Sequence, residues 1–522
     1  MHARTSSWPK TLLRGICMAL AMTGIARSWA AESRPNILLA IADDQSWAHT
    51  SAQGCKAVRT PAFDRVAALG VRFDQCMAAS PGCSPSRAAL LTGLHHWQVE
   101  QAGTHASSFP AQYVTYPDLL EQAGYFVGYT GKGWGPGNWK VSGRERNPAG
   151  PAFDKRKLKP PHKGMSANDY AANFADFLAA RPADRPFCFW YGSQEPHRDY
   201  EEGSGVQAGK RLEDAELPPF LPDAPEVRSD LLDYCLEIEW FDSHLARMLK
   251  LLEEAGQLEN TLVIVTADNG MPFPRAKANM YEYGIHVPLA IAWTSQFPGG
   301  RVSDEPVGFV DLTATILEAA KVPHPAAKSG SLAPVGRSLF DLLLPSAGST
   351  AATERMAFSG RERHSSSRHN NLGYPTRALR TSRFLYIRNF APERWPAGDP
   401  QKYDAEGRLG PMHGAYHDID GGPTLDYLVE HHDDPDVGRY LHWAVDKRPA
   451  EELYDAKADP GCLENLAGDA AYADTLESLR GALENALRAT GDPRMGDNPE
   501  IWETYPRYSP IREFPPADGP SP

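Results

Sequence analysis

From residue 36 onward the chain repeats one pattern: a short unbroken apolar run, then a stretch with apolar residues at every third or fourth position. Asn36 is followed by six apolar residues ending at Ala42, as expected of a strand covered on both faces. Thr60-Pro61 opens a helix to Leu69, with Thr as cap and Pro in the first turn. Further strands are expected at 126–130, 187–191, 261–266 and 287–292, and helices at 117–123 and 311–320. Leu231, Cys235, Ile238, Phe241, Leu245, Met248 and Leu252 share one face of a long amphipathic helix that Gly256 ends. This alternation predicts an α/β fold, a mostly parallel central sheet flanked by helices. The rhythm breaks in a stretch rich in Pro, Ser, Gly and Ala near residue 345. Beyond it, 377–390 alternates like a half-buried antiparallel pair, and 471–489 reads as one amphipathic helix. The tail past Asp492 is expected to wrap the surface. The organisation expected is a signal peptide at 1–30, an α/β domain at 31–350, and a smaller α+β domain with an antiparallel sheet and tail at 351–522.

The first thirty residues stand apart from this pattern. Arg4, Lys10 and Arg14 precede an apolar run at 15–26, and Ser28-Trp29-Ala30 ends it with small residues around a cleavage position. This is the form of a secretory signal peptide, too short in its apolar part to remain as an anchor. No other window approaches a membrane span. An exported protein, periplasmic or extracellular, is expected. Cleavage after Ala30 removes four basic residues and no acidic ones, taking the formal net charge from −13 to −17. With no basic stripe and that balance, nucleic acid is excluded as a general partner. Six cysteines then remain, at irregular spacing, in a chain large enough to fold without staples.

Ligands of open parallel sheets bind beyond the carboxyl ends of the strands. The residues just past each expected strand are therefore informative: Asp43-Asp44, Gly131-Lys132, Glu195-Pro196-His197 and Asp268-Asn269-Gly270. Each is also a common cap or turn sequence when taken singly. Together they bring carboxylates to one rim, where mutual repulsion calls for a cation. Oxygen donors suit Ca²⁺ or Mg²⁺, and no His/Cys spacing suggests zinc.

The segment Cys83-Ser84-Pro85-Ser86-Arg87, with Thr92-Gly93 further on, has the form of a helix start. A Cys at a helix N-terminus reads as a thiol of lowered pKa, a candidate nucleophile. The same stretch resembles the sulfatase signature, in which the Cys is oxidised to formylglycine by a maturation enzyme. The likeness extends over most of the chain. Arg34-Pro35-Asn36-Ile37 through Asp44 is similar to the family's opening strand and first metal pair, and Asp268-Asn269-Gly270 to its second. Glu195-Pro196-His197-Arg198, the run from Asp268 to Pro274, the run from Pro375 to Arg380 and that from Glu452 to Pro460 are most similar to the heparan N-sulfatases, or sulfamidases.

The resemblance implies an alkaline-phosphatase-like fold and a sulfuric ester hydrolase acting on O-sulfate or N-sulfate groups of sulfated oligosaccharides. It implies Ca²⁺, or Mg²⁺, held by Asp43, Asp44, Asp268, Asn269 and residue 83. Formylglycine hydrate at 83 would attack sulfur, with Arg87 beside it. Lys132 and Lys277 would clamp sulfate oxygens, and His197 would protonate the leaving group. One departure is plain: a His common two residues after the strand-end Lys is here Trp134. His49, His95, His96 and His364 are candidates for its role, and Trp134 for shaping a sugar subsite. Arg361-Glu362-Arg363-His364 with Arg368-His369 is expected to line the sugar site. An acidic protein acting on a polyanion must focus positive potential locally, so a confined pocket for a chain end is expected. Two alternatives stay open: a phosphate or phosphonate ester hydrolase of the same superfamily, and a non-catalytic sulfated-glycan binding protein. The sequence assigns no oligomeric state.

Overall fold

A computed structural model of the chain describes residues 34–324, 332–344, 354–404, 406 and 408–509. The expected signal peptide at 1–30 and the expected domain boundary at 350 both lie outside the described residues. The described residues from 35 onward form one compact unit that carries two sheets.

The larger sheet is built from β1 (Asn36–Ala42), β2 (Val71–Met77), β3 (Phe126–Gly131), β4 (Phe187–Gly192), β5 (Thr261–Ala267), β6 (His286–Ala292), β7 (Arg301–Ser303) and β8 (Val307–Gly308). Its order is β3-β4-β1-β5-β6-β2-β7, with β8 also on β2. β3, β4, β1 and β5 are mutually parallel, while β6 runs against both β5 and β2. The sheet is thus mostly parallel, as the alternation predicts. The apolar run of β6 does not betray its opposite direction, because mid-sheet burial on both faces imposes the same composition on either orientation.

Every residue of β1, β4, β5 and β6 is buried, and the helix Pro225–Glu254 packs its apolar stripe on this core through Phe241, Leu245, Met248, Leu249 and Leu252. Helices Pro61–Leu69, Tyr116–Gln122 and Phe309–Ala319 lie within a residue or two of expectation. The helix Tyr170–Ala180 is an addition to the expected elements. Among the described residues no helix is long and apolar enough to cross a membrane.

The smaller sheet is antiparallel, ordered β12 (Glu451–Asp455), β11 (Phe384–Asn389), β10 (Thr376–Arg380) and β9 (Ala357–Arg361). The expected pair is the β10–β11 hairpin, and the helix Ala473–Ala489 packs Leu479, Leu483 and Leu487 on Leu379, Tyr386 and Leu453. Up to residue 509 the tail packs on the rest of the chain: Trp502 is buried, and Ser107 donates to the Pro506 carbonyl at 2.7 Å.

Candidate active site

Four strand ends and one helix start converge. β1 delivers Asp43 and Asp44, β5 delivers Asp268 and Asn269, β3 delivers Lys132, and the turn after β4 delivers His197. Adjacent strands in parallel register carry Asp43-Asp44 and Asp268-Asn269 to the same depth. The Asp44 amide then donates to Asp268 Oδ1 at 3.0 Å, with Asp44 in the left-handed region at φ 73°. The helix Cys83–Thr92 begins against this floor, and its first residue lies with Sγ 3.9 Å from Asp44 Oδ1. Ligand atoms of Asp43, Asp44, Cys83 and Asp268 all fall within 4.8 Å of one another.

Cations interleave with these carboxylates. Arg87, fully buried, donates through Nε to Asp268 Oδ2 at 2.7 Å and through Nη1 to the Lys132 carbonyl at 2.6 Å. Lys132 Nζ lies 2.5 Å from Asp43 Oδ2. Lys277 Nζ is 2.6 Å from Asp44 Oδ2 and 2.9 Å from Asp420 Oδ2. Burial alone would raise the Asp43 carboxyl, but Lys132, with help from Arg87, outweighs it and holds the group below its ordinary value. Asp268 is pushed up, by burial and then by Asp43. Both ammoniums stay charged despite burial, Lys132 through Asp43 and Lys277 through Asp420 and Asp44.

Cys83 corrects one expectation. Burial, then the charge of Asp43, raises its thiol well above the usual range, outweighing the nearby lysines. A thiol held protonated in this way is a poorer nucleophile than a helix start alone suggests.

The donor set suits a hard cation. Asp43 Oδ1 and Asn269 Oδ1 are buried and accept no hydrogen bond among the described residues, the Arg87 guanidinium standing 3.8 Å from Asp43 Oδ1, a costly arrangement that a closer cation would relieve. Asn269 is aligned for it by its amide, which donates to Asp44 Oδ1 at 2.7 Å and to the Gly270 carbonyl at 3.0 Å.

Above this floor opens a cavity of about 570 Å³ whose lining includes Asp43, Lys132, Lys277, His197, His364 and Asp420. His197 Nδ1 lies 2.6 Å from the Arg198 carbonyl, and its Nε2 is 3.8 Å from Asp44 Oδ2. Since a carbonyl only accepts, Nδ1 carries hydrogen and Nε2 is turned to the pocket. Arg198 in turn is fixed by two 2.7 Å bonds to Asp230 of the long helix. Glu195 turns away from the rim to accept from Tyr170 and Ser166.

Two expectations about sugar contacts need revision. Trp134 lies outside the pocket wall: its indole is buried, donates to the Ser84 carbonyl at 3.0 Å and packs edge-on to Phe109, while Gly135 and Pro136 reach the pocket. Of the basic cluster only His364 lines the cavity. Arg361 and Arg368 both turn to the buried Asp418, at 2.5 and 2.8 Å, because β9 points Arg361 inward. Arg361 also holds the Ala278 carbonyl, next to Lys277. His49, His95 and His96 pack elsewhere, against Tyr234, Trp97 and Trp502.

Three pocket residues escape sequence reasoning. His105 stacks on His364 with centroids 4.5 Å apart, close to Gly82 at the start of the Cys83 helix. Asp420 pairs with Lys277, and Arg507 arrives from the tail, donating to the His364 carbonyl at 2.6 Å. Only Asp420 has a visible signal, the turn-like Asp418-Ile419-Asp420-Gly421-Gly422. Burial keeps both imidazoles neutral: His364 is lowered to about 3, and His105 well below its ordinary value.

Comparison with known proteins agrees with this geometry. The family model described as Sulfatase matches residues 35–322. The human N-sulphoglucosamine sulphohydrolase is 30% identical over 516 residues, covering 91% of this chain and 94% of that protein. An ulvan-active sulfatase of Formosa agariphila is 26% identical over 486 residues, covering 88% and 76%. Among solved structures, BT4656 in complex with its substrate D-glucosamine-2-N,6-O-disulfate superposes with a TM-score of 0.62 at 21% identity, over 90% of this chain and all of that one. The mixed sheet with its antiparallel companion is the alkaline-phosphatase-like fold of such enzymes. The chain belongs to the sulfatase family and is a sulfuric ester hydrolase.

Proposed function

We propose that this is an exported, metal-dependent sulfatase that removes O-sulfate or N-sulfate groups from the ends of sulfated glycan fragments, with residue 83 converted from Cys to formylglycine. The observation that carries the reading is the convergence of the buried Cys83, three carboxylates and two lysines beneath one cavity that Asp43, Lys132 and Lys277 line. The names of the relatives, which include an N-sulphoglucosamine sulphohydrolase and an ulvan-active sulfatase, support a sulfated sugar as substrate.

Asp43, Asp44, Asp268 and Asn269 would hold Ca²⁺ or Mg²⁺ beside residue 83. When in place, the ion and the formylglycine hydrate supply an acidified hydroxyl as nucleophile and a Lewis acid for sulfate oxygen. The chain's own residues do the rest. Lys132 and Lys277 bind the remaining sulfate oxygens and orient sulfur over residue 83. Arg87 fixes Asp268 and the carbonyls of Lys132 and Gly133, so the floor keeps its shape while charge moves above it. His197, its ring oriented by the Arg198 carbonyl, turns Nε2 to the pocket edge, where it would serve as general acid toward the departing sugar oxygen or nitrogen once Nε2 also carries a proton. The three floor carboxylates (Asp43, Asp44, Asp268) and Asp420, against the three cations Arg87, Lys132 and Lys277 and a divalent ion, would leave one net positive charge. That local sign is what an acidic protein needs to admit a sulfate.

The cavity volume suits one or two sugar rings rather than a polymer lying across it. His105 and His364, neutral and close to residue 83, take the place of the histidine absent at Trp134. The test is a screen of matured enzyme against defined sulfated oligosaccharides, glucosamine N-sulfate included, with phosphate monoesters in parallel. Sulfate release from chain ends supports the reading. Faster turnover of phosphate esters, or of internal sulfates in intact polymer, overturns it.

A further inference from the structure

We propose that Arg507 forms a second anion subsite in the cavity, taking a carboxylate or a further sulfate that the glycan carries near the sulfate under attack. The inference deepens the sulfatase reading and rests on it for the nature of the ligand.

Arg507 lines the same cavity as Lys132, Lys277 and His197. Its Nη1 donates to the His364 carbonyl at 2.6 Å and reaches the His105 carbonyl at 3.5 Å. Both acceptors are uncharged main-chain groups, and Nε is buried without a partner. Burial lowers the guanidinium from its ordinary value, and Asp418 is the carboxylate that opposes this. Asp418 is already bound by Arg361 at 2.5 Å, by Arg368 at 2.8 Å and by the Ser365 amide. The other long cations of the wall are paired: Lys132 with Asp43 at 2.5 Å, Lys277 with Asp44 at 2.6 Å and Arg198 with Asp230 at 2.7 Å. Among the described residues, Arg507 is the arginine of this wall without an ion pair.

A second guanidinium stands near it. Arg363 donates through Nη2 to the Pro506 carbonyl at 3.3 Å, while its Nε and Nη1 are buried without partners. Burial, and then the Arg507 charge, lowers Arg363 to about 10. Glu503, the carboxylate that opposes them, is held by Arg394 and Arg494. Two like charges in a partly dry site, with their nearest carboxylates bound elsewhere, favour an anion between cavity and wall.

The main chain around Arg507 is pinned on both sides. Ser107 Oγ donates to the Pro506 carbonyl at 2.7 Å, and the Tyr508 amide donates to the Ala106 carbonyl at 2.6 Å. A guanidinium on a fixed backbone gives up little freedom on binding, and its planar set of N–H donors matches the oxygens of a carboxylate or a sulfate. Charge points the same way. With a divalent ion in place, the floor keeps one net positive charge, which one sulfate group neutralises. Arg507 supplies the charge for a second anion, in a cavity of about 570 Å³ with room for the neighbouring ring.

Cys83→Ala protein, used so that ligands bind without turnover, is titrated calorimetrically in calcium buffer with three sugars: glucosamine N-sulfate, glucosamine N,6-disulfate, and glucosamine N-sulfate joined to a glucuronate. At least one doubly charged sugar should bind about tenfold or more tightly than the first, and which one does so identifies the anion. Adding Arg507→Gln should bring that affinity ratio to within about threefold of unity, while Arg507→Lys keeps part of it, with melting curves showing each variant folded. Equal affinities for all three sugars, a gain that survives Arg507→Gln, or no binding at all overturns the proposal. Sulfate release by the matured wild type is followed on the same sugars. Its absence, with the affinity ratio intact, overturns the sulfatase reading and leaves the subsite standing.

Discussion

Arg87 and Asp268 meet at 2.7 Å with neither side chain exposed, joining the helix that begins at Cys83 to the end of β5. The pair fixes the distance between the residue to be modified and the carboxylates around it. Removing the guanidinium leaves a buried carboxylate without its partner, at about 3–5 kcal/mol. The Arg87→Met variant should therefore show a lowered urea midpoint together with loss of sulfate release. An unchanged midpoint would show that the pair contributes only locally.

Asp420 is the second carboxylate on Lys277, at 2.9 Å beside Asp44 at 2.6 Å. In Asp420→Asn the ammonium keeps one carboxylate and loses the second, so its position over the sulfate loosens. A hydrogen bond to a charged group contributes about 1.5–3 kcal/mol, which sets a fall of about 10- to 150-fold in kcat/KM. Steady-state kinetics on a small sulfated sugar, with thermal melting as the control for folding, measures it.

Trp134 supports the Ser84 carbonyl from behind rather than facing substrate. Trp134→Phe should lower stability by about 1 kcal/mol, the value of one hydrogen bond, and leave the ranking of sugar substrates unchanged. A changed ranking would return Trp134 to the sugar site.

Stability should also depend on pH through His364. Its folded pKa of about 3 lies below the ordinary 6.5, because burial disfavours the charged ring. The unfolded chain then binds a proton that the folded one does not between those values, so the contribution is present above pH 6.5 and is lost as pH falls toward 3. Glu237 and Asp242, raised by burial to about 9 and about 7, act in the opposite sense, their contribution being lost as pH rises. Urea midpoints from pH 4 to 7 should slope less steeply in His364→Asn than in the wild type.

The parts of the fold legible in the chain are those written in local pattern. β1, β4 and β5 are continuous apolar runs, and the long helix carries its stripe for several turns, so burial alone reveals them. The strand ends carry the floor of the site, since parallel register brings consecutive loops to one edge. What stays hidden depends on distant partners. Arg361 and Arg368 look like a basic surface in the sequence, and only Asp418 turns them inward. His105 and Arg507 are single residues far apart in the chain, brought together by the tail crossing the loop at 105–107. Cys83 reads as an activated thiol because a helix start is visible in the sequence, while the burial that opposes it is not.

The central claim is that residue 83, among the aspartates, performs the chemistry after conversion. The most direct measurement is sulfate release by matured wild type and Cys83→Ala on the same sulfated sugar, with melting curves showing both folded. The account predicts turnover by the wild type and a loss of at least about a thousandfold in the variant. A variant retaining activity within about tenfold of the wild type would contradict it.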